Sequence, residues 1–158
     1  MKRLLSILLF IPIVGFSQYT SIPDQNFEQA LINLGHDDII DGQVLTADIS
    51  NVDTLVLYNQ GIYDLTGIED FTALTYLNCY YNQLTSLDVN QKTALTELEC
   101  GYNQLTSLDV SGCTALTDLI CSNNQLTSLD VSQNTALKYL ECWKNKLTSL
   151  DVSNNPAL

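Results

Sequence analysis

The sequence predicts an α/β-type solenoid: a right-handed superhelix with a parallel concave sheet, a convex side of turns, 3₁₀ segments or short strands, and an N-terminal helical cap. Three observations carry this prediction. The octapeptide NQLTSLDV stands at residues 82–89, 103–110 and 124–131, and returns as NKLTSLDV at 145–152. The copies keep one step of 21 residues, and self-similarity at such a period marks coils that bury their apolar side only by stacking on neighbours. Just ahead of each copy, apolar and polar residues alternate with the period of a strand.

The chain opens with MKRLLSILLFIPIVGFSQ. Lys2 and Arg3 give a basic start, residues 4–14 form an apolar run, and Gly15 and Ser17 fit positions −3 and −1 of a cut before Gln18. Residues 1–17 therefore read as a secretory signal peptide, too short to span a membrane. The expected destination is secretion or the cell surface, with no membrane insertion after signal removal. From Gln18 onward four bases face 18 acids, a net charge of −14. That acidity excludes nucleic acid and anionic lipid surfaces as partners.

Residues 18–51 read as a cap over the first coil. Asp24 can N-cap a helix over about 24–34, with Phe27, Ala30, Leu31 and Leu34 on one face and Gly35 ending it. A short strand is expected over 44–49. The stretch HDDIIDGQ at 36–43 crowds three Asp near a Gly. It lacks the alternating ligands and terminal Glu of a calcium loop, so it reads as a solvated loop.

The repeats occupy 52–158, with units starting at 52, 74, 95, 116 and 137. Four units read L-x-x-L-x-C-x-x-N-x-L-T-S-L-D-V. The unit at 52 is one residue longer, carries Leu57 in place of Cys, and sets Gln60 at the Asn position. Leu74, Leu77 and Cys79 should face inward and Tyr76, Asn78 and Tyr80 outward. Leu84, Leu87, Val89 and Ala94 should enter the core from the returning half. Asn82, Asn103, Asn124 and Asn145 form a column whose amides can satisfy backbone groups that turn inward at the bend. The chain stops at SNNPAL, where Leu158 would open a sixth unit, which reads as truncation within a longer array.

These residues resemble the leucine-rich-repeat family, whose signature L-x-x-L-x-L-x-x-N/C-x-L is met at 74–84, 95–105, 116–126 and 137–147 with Cys at the third Leu. The short unit and the segment ahead of it are similar to internalin-type proteins and secreted repeat proteins of Bacteroidota. The resemblance implies adhesion or recognition.

Cys79, Cys100, Cys121 and Cys142 form a second column. Side chains in register on parallel strands point the same way, which makes the disulfide dihedral of about 90° hard to reach. The column reads as buried thiols acting as small hydrophobes. Cys113 stands where other units have Lys92 and Asn134, and reads as a free or weakly structural thiol of the convex loop. The single histidine, His36, is remote from the column, so no zinc site is expected. Asp88, Asp109, Asp130 and Asp151 form a third column, for which an Asx-type turn at each site is favoured over a bound cation.

No cofactor is implied, and no catalytic constellation emerges, so the chain reads as a non-enzyme. What varies between units is the concave face. Outward positions place Tyr58, Tyr76, Tyr80, Tyr81, Glu97, Glu99, Tyr102, Asp118, Tyr139, Glu141 and Trp143 there, with Thr54, Val56, Asn78, Ile120, Ser122, Asn123 and Lys144 between them. Exposed aromatics among acids suit recognition of an extracellular protein or glycan. They equally suit cross-strand stabilisation of a sheet, which would make the array a spacer. A third reading is the non-catalytic region of a larger secreted enzyme.

Overall fold

The computed structural model describes residues 18–158; the signal peptide expected at 1–17 lies outside the described residues. Strand β1 (Tyr19–Ser21) pairs antiparallel with β2 (Gln43–Leu45) across helix α1 (Gln25–Leu34). A one-turn helix α2 (Thr46–Ile49) leads into five coils. Their strands β3 (Thr54–Val56), β4 (Tyr76–Asn78), β5 (Glu97–Glu99), β6 (Asp118–Ile120) and β7 (Tyr139–Glu141) form one parallel sheet in chain order. The register aligns Leu55, Leu77, Leu98, Leu119 and Leu140. The fold is the expected solenoid. Its convex side is turns, with one 3₁₀ segment at Ile68–Asp70 in the first coil and a bridge between Asp88 and Asp109.

Asp24 couples the cap to the array. One carboxylate oxygen accepts from the N–H groups of Asn26 and Phe27 at 2.8 and 3.1 Å and so caps α1. The other accepts from Tyr63 and Asp64 of the first coil at 2.7 and 2.9 Å. Gly35 closes the helix at φ 81°, the left-handed conformation that glycine adopts without a Cβ penalty. Phe27 stacks on Phe71 at 6.2 Å between ring centres.

Several expectations are corrected. The strand expected over 44–49 stops at Leu45 and turns into α2. Val44 and Ile49 are both buried. Five residues apart on a strand they would face opposite sides, and the helical turn brings both into the core. Leu34 is 45% exposed at the helix end. Ala94 lies at the surface, because the inward place of its turn belongs to Lys92. The segment 36–43 is held by a residue the sequence reading passed over. Glu28 is fully buried, and its Oε1 accepts from the N–H groups of Asp41, Gly42 and Gln43 at 2.8, 2.6 and 3.1 Å.

The asparagine column closes each bend. Asn103 Nδ2 donates to the carbonyls of Cys79 and Cys100 at 3.0 and 3.1 Å, and its Oδ1 accepts from Leu84 N–H at 3.0 Å. Asn124 and Asn145 repeat the pattern one and two coils on. Asn82 reaches back to Leu57 O at 2.7 Å and Ile62 N at 3.0 Å. Gln60, at the Asn position of the first coil, is exposed and bonds its own Tyr58 carbonyl.

The sequence reading aligned a further column but not its burial. Lys92, Cys113, Asn134 and Asn155 occupy one position of successive convex turns, all of them buried. Lys92 Nζ donates to the carbonyls of Glu69 and Phe71 at 2.8 and 3.0 Å. Cys113 Sγ meets Val89 O at 3.3 Å. Asn134 Nδ2 bonds Val110 O and Cys113 O at 2.9 Å, and Asn155 repeats this on Val131 O and Asn134 O. Cys113 is thus a free thiol of the convex turns, as expected, and its burial makes it a rung of this column.

All five cysteines are free; Cys79, Cys100, Cys113 and Cys121 are buried and Cys142 is partly exposed. Burial pushes the Cys79 and Cys121 thiols up to about 12 and Cys113 to about 11, with Cys100 well above its ordinary value. The Asp column makes Asx turns. Asp88, Asp109, Asp130 and Asp151 accept from the N–H two residues on at 2.9–3.0 Å. For Asp109, Asp130 and Asp151 that bond holds the carboxyl below its usual value.

Three outcomes follow. Asn103→Ala removes two inter-coil bonds and one within its own coil from the buried interior and should cost about 2–3 kcal/mol in urea unfolding, whereas partly exposed Asn145→Ala should cost about 1 kcal/mol. Equal costs would detach the bonds from stability. A thiol reagent at pH 8 should modify Cys142 first and the other four slowly, since a thiol with a pKa of about 12 is thiolate in roughly one molecule in ten thousand. These raised values also stabilise the folded state fully below the unfolded thiol's 9.0, and that stability is lost as pH rises toward about 12. A melting temperature that holds flat from pH 9 to 11 would contradict the buried-thiol assignment.

Candidate functional site

Within each coil the concave strand offers outward positions in sequence, and the parallel register stacks them into columns. The first column is Thr54, Tyr76, Glu97, Asp118 and Tyr139, and the second Val56, Asn78, Glu99, Ile120 and Glu141. Just past the strand ends come Tyr58, Tyr80, Gly101, Ser122 and Trp143, then Asn59, Tyr81, Tyr102, Asn123 and Lys144. The face therefore has two bands. Acids lie along the strands and aromatics along their exits.

The acidic band is organised by aromatic hydroxyls. Glu99 accepts from Tyr76 Oη at 2.8 Å and from Asn78 Nδ2 at 2.8 Å. Glu141 accepts from the Tyr139 hydroxyl and from Trp143 Nε1 at 3.3 Å. Thr117 Oγ1 donates to Asp118 at 2.7 Å. Burial raises the Tyr76 phenol, and hydrogen bonding to Glu141 raises Tyr139, so both remain protonated donors through neutral pH. Glu97, Glu99, Asp118, Ile120 and Tyr139 line a shallow depression in this band.

The aromatic band is continuous. Tyr58 stacks on Tyr80 at 6.3 Å and meets Tyr81 edge-on at 5.8 Å. Tyr80 contacts Tyr81 and Tyr102, each at 5.1 Å, and Tyr81 stacks on Tyr102 at 4.2 Å. Tyr102 meets Trp143 edge-on at 6.3 Å. Small residues make this possible. A Cβ on Gly101 would stand 2.5 Å from the Tyr80 ring, so glycine is what lets that ring lie across the next coil. The contact of Tyr102 with Trp143 passes over the intervening coil, where Ser122 is fully buried and not outward-exposed as the sequence suggested.

The last position of each exit has φ of 52–57°. Asn59 and Asn123 tolerate this left-handed conformation, whereas Tyr81 and Tyr102 adopt it against a steric cost of about 1–2 kcal/mol. Sequence reasoning named these tyrosines but missed their conformation. The signal available was the 21-residue alignment of Tyr81 and Tyr102 with Asn123, a residue type favoured at positive φ.

All eleven concave residues named from the sequence lie on this face. Among the described residues no group of three or more His, Cys, Asp and Glu side chains is placed to hold a metal ion. No described helix is long and apolar enough to cross a membrane.

Comparison with known proteins matches residues 42–155 to the family of the endo-β-N-acetylglucosaminidase EndoS LRR domain. Internalin J of Listeria monocytogenes is 46% identical over 72 residues, which are 44% of this chain and 7% of that protein. The solved functional domain of the Listeria protein InlJ, described as including a cysteine ladder, superposes with a TM-score of 0.82 at 42% identity, covering 90% of this chain and 32% of that one. A leucine-rich-repeat protein of Leptospira interrogans superposes at 0.54 with 32% identity, covering 58% of this chain and 26% of that one. The chain thus spans a minor part of the relatives it matches.

Proposed function

The chain belongs to the leucine-rich-repeat family, and we propose that it is an exported recognition module, secreted or held at the cell surface, that binds an extracellular protein or glycan through its concave face. The fold supports a protein-binding module, and the aromatic band supports the choice of face. Five rings in mutual contact, two of them on strained backbone, make a rigid amphipathic surface with little entropy left to lose on binding. The basic and apolar opening of the sequence supports export. The module itself is non-catalytic on this reading. A second reading has one specific support: the matching family model is the LRR domain of an enzyme, the glycosidase EndoS. The array would then be a recognition or spacing segment beside a catalytic one.

Exchanging Tyr80, Tyr102 and Trp143 together for Ser tests the face. In screens on extracellular-protein and glycan arrays, the parent should give specific binders and the triple variant should lose at least about tenfold in affinity for them. Retention of thermal melting by the variant would show that the array is intact. Binding that survives the exchange removes the concave face from the function and favours a spacer.

A further inference from the structure

We propose that the concave face takes a cationic protein segment, with arginine or lysine side chains lying along the aromatic band and their charged ends on the carboxylate band. The proposal rests on the concave-face reading above and names the partner's chemistry.

Four carboxylates, Glu97, Glu99, Asp118 and Glu141, lie on three adjacent strands, about 4.8 Å from one strand to the next. Their hydrogen-bond partners are phenol, amide, hydroxyl and indole groups, with no ammonium among them. The lysines of the described chain are engaged elsewhere or stand at the margin. Lys92 is buried among convex carbonyls, Lys146 bonds Gln125, and Lys138 lies outside the columns of the face. The face therefore carries four carboxylates against one cation in its columns, Lys144 at the exit of β7, which sits over the Trp143 ring.

The aromatic band beside it accepts cations. At its margin Lys144 Nζ already sits over the Trp143 ring, 5.0 Å from the centroid. Glu99 and Glu141 belong to the column next to that of Tyr80 and Trp143, so a side chain lying on either of these rings has a carboxylate in the adjoining column. Guanidinium groups combine ring stacking with two-pronged hydrogen bonding to carboxylate, which makes arginine the better fit. A neutral glycan would use the rings but gain nothing from the four charges, and an acidic glycan would be repelled by them.

The test titrates the purified protein against a fluorescent peptide of alternating arginine and glycine, with a glutamate–glycine peptide and a chitin oligosaccharide as the other probes. Glu97→Gln, Glu99→Gln, Asp118→Asn and Glu141→Gln together should weaken arginine-peptide binding at least about tenfold. The convex set Asp88→Asn, Asp109→Asn, Asp130→Asn and Asp151→Asn removes the same charge and can keep the Asx turns, and it should change binding less than about threefold. Should the concave set fail to fold, exposed Glu97→Lys alone should weaken binding by a similar margin. Equal loss from both sets, or no arginine-peptide binding at all, overturns the cationic partner. If the oligosaccharide then binds and the aromatic triple variant abolishes it, the concave-face reading stands and only the partner class falls. If any probe binds equally to the parent and to both concave variants, the concave-face reading falls as well.

Discussion

Everything in this array depends on the inward asparagine amide. At the exit of each strand the chain must turn, and the turn directs backbone carbonyl and N–H groups toward an apolar interior that offers them no water. One side chain meets this demand by bonding the cysteine carbonyls of two coils and an N–H of the earlier one. Because each rung needs a fixed neighbour, the rungs hold the coils at one length and one register. The first coil, one residue longer and with Gln60 turned outward, makes no rung of its own and is closed by Asn82 from the next.

The same constraint shapes the surface. The residue before each column asparagine turns through positive φ, and Asn59 does the same before Gln60 in the first coil. That residue consequently projects at the strand exit, beside the outward position that precedes it. Structural necessity thus builds a double column at the edge of the concave sheet, and the sequence fills much of it with aromatic rings. The glycine at 101 and the serine at 122 leave room for rings of neighbouring coils to meet across them.

Period and residue identity made the first column, the strands and the aromatic face legible in the sequence, since Asn, Leu and Cys return unchanged every 21 residues. The convex column could be aligned, but its buried role was hidden because its members look unlike one another: a lysine, a thiol and two amides. They share only a polar hydrogen aimed at a neighbouring carbonyl. Alignment by residue type assigned the inward place to Ala94 two residues on. The cap was legible where a local rule acts, as at Asp24 and Gly35, and less so where burial depends on tertiary partners. Glu28 reads as an ordinary acid of a first helical turn, yet it is fully buried and organises the segment after the helix. Ile49 is drawn into the core by a helical turn that Val44 and Thr46, both β-branched, do not announce.

Two accounts of the aromatic face make different demands on the backbone. Rings that serve only to stabilise a sheet belong at extended positions, where aromatic residues gain from cross-strand packing without conformational cost. Tyr76 and Tyr139 stand at such positions. Tyr81 and Tyr102 do not: each holds a left-handed conformation that Asn123 satisfies more cheaply one coil later. The 4.2 Å stacking of Tyr81 on Tyr102 offsets part of that strain, but an asparagine at both positions would lower it more directly. Tyr81 nonetheless remains 43% exposed. A strained, exposed ring flanked by other rings makes its best sense when something outside the chain completes its contacts.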